Sequence, residues 1–129
     1  MKLLADTHAL LWAIQTPERL GPAAIAVIKD SSNTVMVSSA TTWELGIKAK
    51  TGKLPEALPL LADYTGALRR LGATTTPITD QDALLAASLP WAHQDPFDRM
   101  LAAQALTRNL VLVSRDAAFD RVPGLRRIW

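Results

Sequence analysis

Short apolar runs alternate along this chain with longer stretches in which apolar positions recur every three or four residues. Lys2–Ala5 reads as a short buried strand, followed by a helical stretch from Thr7 to about Ile14. Gly21-Pro22 opens a second helix with Pro22 at a favourable first position, and Thr34–Ser38, rich in β-branched and apolar residues, reads as a second strand. The pattern is helical again from about Thr42 to Lys50, closed by Gly52 and Pro55. Ala57–Leu71 is one further helix candidate, marred by Pro59 and Gly66 and stopped by Gly72. Thr74–Ile78 suits a strand, which Pro77 assigns to a sheet edge or a strand end. Thr79 or Asp80 can cap a short helix through Leu89. Asp95-Pro96 starts another that runs to about Arg108, with Asn109 as its left-handed terminator. Leu110–Val113 is an apolar strand bounded on both sides, and Leu125–Ile128 a short final one.

Strands alternating with helices imply a mostly parallel central sheet covered on both faces, an α/β class three-layer α/β/α sandwich. No internal repeat, low-complexity tract or linker interrupts the order, so residues 1–129 are expected to form a single domain, a length that suits one hydrophobic core. Composition agrees: 49% of residues are apolar and 20% charged. No apolar run approaches the ~18 residues of a membrane span, and charge interrupts the start too early for a signal peptide, so a cytoplasmic location is expected. With no cysteine, disulfides, thiolate zinc sites and cysteine nucleophiles are excluded. A net charge of +2 does not by itself point to nucleic acid. One local basic cluster, Lys48, Lys50 and Lys53, fits either a solvated helix end or phosphate contact.

Four acids stand at informative positions, each with an ordinary local explanation. Asp6, between a strand and a helix, suits an N-cap. Glu44 lies three residues after Thr41, the capping-box spacing. Asp98 lies three after Asp95, where it complements a helix dipole, and Asp116 follows a strand by a Ser-Arg turn. Jointly they carry more weight. In an open parallel sheet every strand's carboxyl end lies on one edge, where the ligand crevice forms. Asp6 and Asp116 leave two such ends, Glu44 sits in the helix after a third, and Asp98 joins them if its helix points the same way. At ~5 Å and an effective dielectric of ~20, each carboxylate pair repels by roughly 3 kcal/mol. Such a cluster requires cations or protonation, and oxygen ligands without cysteine suit Mg²⁺ or Mn²⁺. Arg99 and Arg115, adjoining Asp98 and Asp116, offer the competing possibility of a purely structural charge network.

Four blocks occur in order: Asp6-Thr7-His8-Ala9-Leu10-Leu11-Trp12, Ser39-Ala40-Thr41-Thr42-Trp43-Glu44-Leu45-Gly46-Ile47-Lys48, His93-Gln94-Asp95-Pro96-Phe97-Asp98-Arg99, and Val113-Ser114-Arg115-Asp116. Together they resemble the PIN-domain nucleases, specifically the VapC-like toxins of bacterial and archaeal toxin–antitoxin pairs, over essentially the whole chain. The resemblance implies an endoribonuclease dependent on Mg²⁺ or Mn²⁺, with Asp6, Glu44, Asp98 and Asp116 as its catalytic and metal-holding acids, Asp6 and Asp98 most directly. It also implies that Thr7 and Ser114 orient those ligands through hydrogen bonds, with Asp95 left as a helix cap. His8 and His93 fall inside matching blocks without a ligand role that carries over.

An RNA substrate would approach through backbone contacts, for which Lys48, Lys50, Lys53, Arg99 and Arg115 are the nearest candidates. The expected partners are a cognate VapB-like antitoxin covering the acidic cleft and a second copy of the chain in a homodimer. A receiver domain is a poor fit because strand two ends in Ser38-Ser39, and a DxD phosphotransferase because His8 stands where its second acid belongs. A non-catalytic RNA- or protein-binding module on the same fold is the alternative.

Overall fold

Successive side chains of a strand point to opposite faces, and here both faces are buried. In β1 (Lys2–Ala5), Leu3 and Ala5 enter one apolar cluster and Leu4 the other. In β4 (Val111–Val113), Val111 and Val113 face the first cluster and Leu112 the second. The computed structural model, which describes residues 1–129, adds β2 (Thr34–Ser38), β3 (Ala73–Thr76) and β5 (Arg126–Ile128) to one sheet of order β3-β2-β1-β4-β5. Every neighbouring pair is parallel.

The first cluster is closed by α1 (Thr7–Gln15), α2 (Pro22–Lys29), α3 (Ser39–Lys50), α4 (Ala57–Ala62) and α5 (Tyr64–Leu71). The second is closed chiefly by Leu101, Ala102 and Ala105 of α7 (Pro96–Thr107), with Leu85 of α6 (Asp80–Ser88) at its margin. This is the expected three-layer α/β/α arrangement. The strand order runs outward from β1 to β3, then resumes on the other side of β1 with β4 and β5. The switch point of the sheet is therefore the gap between the carboxyl ends of β1 and β4. Asp6 is tied to that gap by its own N–H, which donates to the Val113 carbonyl at 3.1 Å.

Four expectations need correction. The single helix over Ala57–Leu71 is two, because Asp63 leaves helical backbone (φ −143°, ψ 59°) and turns its carboxylate onto the Gly66 N–H at 3.3 Å, capping α5. Gly66 reads as a flaw in one long helix, but it is the residue whose missing Cβ admits that cap, since a Cβ there would collide with the Asp63 carboxylate. Helix α3 begins at Ser39, three residues ahead of the expected Thr42, because Ser38 is the cap and accepts from Ala40 N at 3.0 Å. Thr41 is thus buried inside the helix, and no capping box joins it to Glu44. Two 3₁₀ turns, Pro17–Arg19 and Ala117–Arg121, had no counterpart in the sequence pattern. The last two strands each begin one residue later than expected, and the expected Thr74–Ile78 strand ends at Thr76, before Pro77, on the sheet edge. No helix is long and apolar enough to cross a membrane.

Candidate active site

At the switch point the chain encloses a cavity of about 190 Å³ lined by Asp6, Thr7, His8, Glu44, Lys48, Asp95, Asp98, Asp116 and Phe119. The four acids singled out in the sequence thus come from four separate segments to one cavity. Capping and cavity lining are not alternatives here. Asp6 Oδ1 accepts from Ala9 N at 2.8 Å and caps α1. Asp116 Oδ1 accepts from Ala118 N at 2.9 Å and caps the 117–121 turn. Asp95 Oδ1 caps α7, accepting from Phe97 N at 2.8 Å and Asp98 N at 3.2 Å. Each carboxylate uses one oxygen on backbone N–H groups. The helix starts that require these caps are the same ends whose dipoles favour negative charge.

Glu44 is buried, and both its oxygens are engaged. The Thr7 hydroxyl donates to Oε1, and the Lys48 ammonium, one helical turn along α3, sits 2.6 Å from Oε2. Asp98 Oδ2 lies 2.7 Å from His93 Nε2. Single ligand atoms of His93, Asp98 and Asp116 all fall within 4.8 Å of one another. Ser114 is fully buried, and its Oγ accepts from Asp116 N at 3.0 Å.

The electrostatics of the cavity reflect burial first and neighbouring negative charge second. Burial pushes the Asp6 carboxyl above its ordinary 3.8, and neighbouring Glu44 adds to the rise. The Ser114 hydroxyl, the Ala9 N–H and His8 pull the other way. Burial likewise raises Asp98, to about 6. His93 opposes that rise while Asp95 and Glu44 reinforce it. The donor set is dominated by hard oxygens and partly desolvated, with Lys48 as its one ion-paired lysine. Those are the terms on which Mg²⁺ or Mn²⁺ binds carboxylates, so the residues present fit such an ion.

The sequence model of the PIN domain matches residues 3–125. The chain belongs to the PIN-domain family. This bears out the resemblance read from the four blocks. The PIN domain is 33% identical over 54 residues to Ribonuclease VapC16 of Mycobacterium tuberculosis; the match spans 42% of this chain and only 37% of that protein. Among solved structures it resembles VapBC2 from Rickettsia felis bound to a DNA fragment from their promoter, with a TM-score of 0.71, 18% identity, and 99% and 98% of the two chains covered. It also resembles FitAcB from Neisseria gonorrhoeae, with a TM-score of 0.63, 21% identity and coverage of 98% and 96%. VapBC-1 from nontypeable Haemophilus influenzae gives a TM-score of 0.60 at 19% identity, covering 99% and 97%. At such identities the three structures speak for the fold of this PIN domain.

The basic residues are sorted by the fold in a way that the sequence did not reveal. Of the five read as candidate phosphate contacts, Lys48 lines the acidic cavity and Arg115 an adjoining one, while Lys50 and Lys53 are exposed and line neither. Arg99 of this PIN domain is committed elsewhere. Its guanidinium donates to the carbonyls of Ala86, Leu89, Trp91 and His93 at 2.7–2.9 Å, clamping the loop between α6 and α7. Neither Arg99 nor Arg115 forms an ion pair with the four acids, which removes the competing charge-network account. The residue that sequence reasoning passed over is His93. It lies five residues from Asp98 in a loop without periodicity, and only the fold turns its ring onto that carboxylate. Stacking on Trp91, with ring centroids 4.7 Å apart, fixes the imidazole further.

Proposed function

We propose that this PIN domain is a metal-dependent endoribonuclease acting as the toxin of a toxin–antitoxin pair, with residues 1–129 working as a single nuclease domain. One observation carries the reading: Asp6, Glu44, Asp98 and Asp116 line one small cavity at the switch point of the sheet. Burial disfavours the charged forms of Asp6 and Asp98, and a bound dication would restore them.

Asp6 and Asp98 would hold Mg²⁺ or Mn²⁺ most directly, with Glu44 and Asp116 completing the set. A divalent cation supplies Lewis-acid charge for the phosphate and makes water a better nucleophile near neutral pH. The chain's own groups do the positioning. Thr7 and Lys48 hold Glu44 in one orientation. Ser114 favours the charged form of Asp6, and His93 binds one oxygen of Asp98. Lys48 is the one lysine that lines the cavity, so it would meet a phosphate oxygen there while remaining paired with Glu44. The resemblance to a VapC ribonuclease and to VapBC assemblies supports RNA as substrate and a VapB-like antitoxin as partner.

Cleavage of a long structured RNA in Mg²⁺, Mn²⁺ or EDTA, by the wild-type protein and Asp6→Asn, tests this reading. Metal-dependent cleavage that Asp6→Asn lowers by about a hundredfold or more is expected. Equal cleavage by the variant, or by the wild type in excess EDTA, would end it.

A further inference from the structure

Beside the acidic cavity lies a second one of about 450 Å³, which shares Asp6, His8 and Asp116 with it and is completed by Arg115 and Ala117. The two adjoin along these three shared residues. Arg115 holds its Cζ 5.0 Å from the Trp12 ring centroid, and Arg19 holds its own at 4.5 Å from the same ring. The His8 imidazole is 5.3 Å from it. Trp12 is buried and rests in turn against Trp129 at 5.8 Å.

Neither guanidinium has a carboxylate partner within the chain, whereas Arg70, Arg108 and Arg127 each have one. Two unpaired cations thus share one indole. They can be no further apart than the two ring distances taken together, which is inside the ~10 Å screening length at moderate salt. The ring quadrupole attracts each of them, but it cannot cancel the repulsion between them. An anion can. Guanidinium groups already gathered on a rigid ring lose less freedom when they close on a ligand, and their planar donor forks match phosphate oxygens.

We infer that Arg19 and Arg115, gathered on Trp12, form a preorganised docking point for an RNA backbone phosphate next along the strand from the one in the acidic cavity. The inference rests on the ribonuclease reading for the identity of the strand. A nucleic-acid phosphate is favoured over an acidic protein segment because Arg115 lines the cavity that adjoins the one that would take the scissile phosphate. A strand entering a ring of carboxylates also needs cations at the exit, where Asp6 and Asp116 would otherwise repel it.

The test is anisotropy of a short fluorescein-labelled single-stranded oligoribonucleotide in EDTA, across a range of salt, with Mn²⁺ affinity of each protein measured separately. The proteins are the wild type, Arg19→Gln, Arg115→Gln and the double variant; glutamine keeps a planar group on the ring without its charge. Each single variant is expected to bind about 3–10-fold more weakly at low salt, and the double variant more weakly still. The slope of log K against log salt should fall by about 0.7 for each guanidinium removed. Mn²⁺ affinity should stay at the wild-type value. Should the glutamine variants unfold, Arg19→Lys and Arg115→Lys keep the charge: the slope should persist while affinity drops. A double variant with wild-type affinity and slope overturns the docking point, as does a loss seen only against an acidic peptide. A wild type that binds RNA by these arginines yet cleaves none with Mn²⁺ removes the nuclease reading and leaves the docking point standing.

Discussion

His93 Nε2 stands 2.7 Å from Asp98 Oδ2, and the backbone carbonyl of the same histidine accepts a 2.9 Å hydrogen bond from Arg99. A histidine held at its ring and at its backbone is a positioning device for the carboxylate it touches. Removing such a neighbour of a metal ligand typically lowers metal affinity by about 10–100-fold. His93→Ala should therefore weaken Mn²⁺ binding within that range at unchanged fold. His93→Gln, which keeps an N–H donor, should recover part of the loss. Calorimetric titration decides: wild-type Mn²⁺ affinity in His93→Ala would remove the role.

The Arg99 clamp should matter for stability as much as for the site. Arg99→Ala takes the guanidinium away from the carbonyls of Ala86, Leu89, Trp91 and His93. Since the Leu89 carbonyl keeps the Trp91 N–H as a donor and solvent can replace part of the other bonds, a loss of about 2–4 kcal/mol is expected, visible as a drop of roughly 10 °C in Tm by calorimetry. Arg99→Lys, which offers no planar fork, should recover little of it. A Tm within about 2 °C of wild type for Arg99→Ala would show the loop to be held by other means.

The pH dependence of the metal-free protein follows from two opposite shifts. The Asp98 carboxyl is raised from 3.8 to about 6, and Asp6 is raised as well, so in this range the folded state binds protons more tightly than the unfolded one. Stability should therefore rise as pH falls through about 6 and level off near 3.8, by at most about 3 kcal/mol for Asp98. Asp82 shows the reverse. Hydrogen bonding from Arg108 holds its carboxyl well below the ordinary range, so its contribution is present above 3.8 and is lost as pH falls further. Thermal melts in EDTA from pH 7.5 down to 3 should show the rise first and the loss afterwards. Asp98→Asn should shrink the rise to the part due to Asp6 and leave the later loss in place, and an unchanged rise in that variant would contradict the assignment.

Gly21 precedes α2, and a Cβ there would stand 2.7 Å from the backbone carbon and indole of Trp129. The C-terminal tryptophan could not keep its place against Trp12. Gly21→Ala should cost about 1–3 kcal/mol by overpacking, measurable by urea denaturation. An unaffected midpoint would mean that Trp129 moves aside without loss.

Much of the fold was legible because its signals are local. The strand–helix alternation, the Asp95-Pro96 helix start and the left-handed Asn109 at φ 52° each depend on backbone groups within a few residues. The break at Asp63 was not legible. A side chain can cap a helix or decorate one, and its backbone angles, set by the packing of α4 and α5 on the sheet, choose between the two.

The sequence by itself determined that this is a sheet alternating with helices and that Asp6, Glu44, Asp98 and Asp116 belong to four blocks in the order of a PIN domain. Apolar periodicity and caps are written in neighbouring residues, which is why they can be read there. Only the tertiary structure decided how the charges pair. Arg99 went to carbonyls, Arg19 and Arg115 to one indole, Lys48 to Glu44 and His93 to Asp98. A charged side chain takes whichever partner the fold leaves within reach and out of water, and that partner lies in another segment as often as in its own.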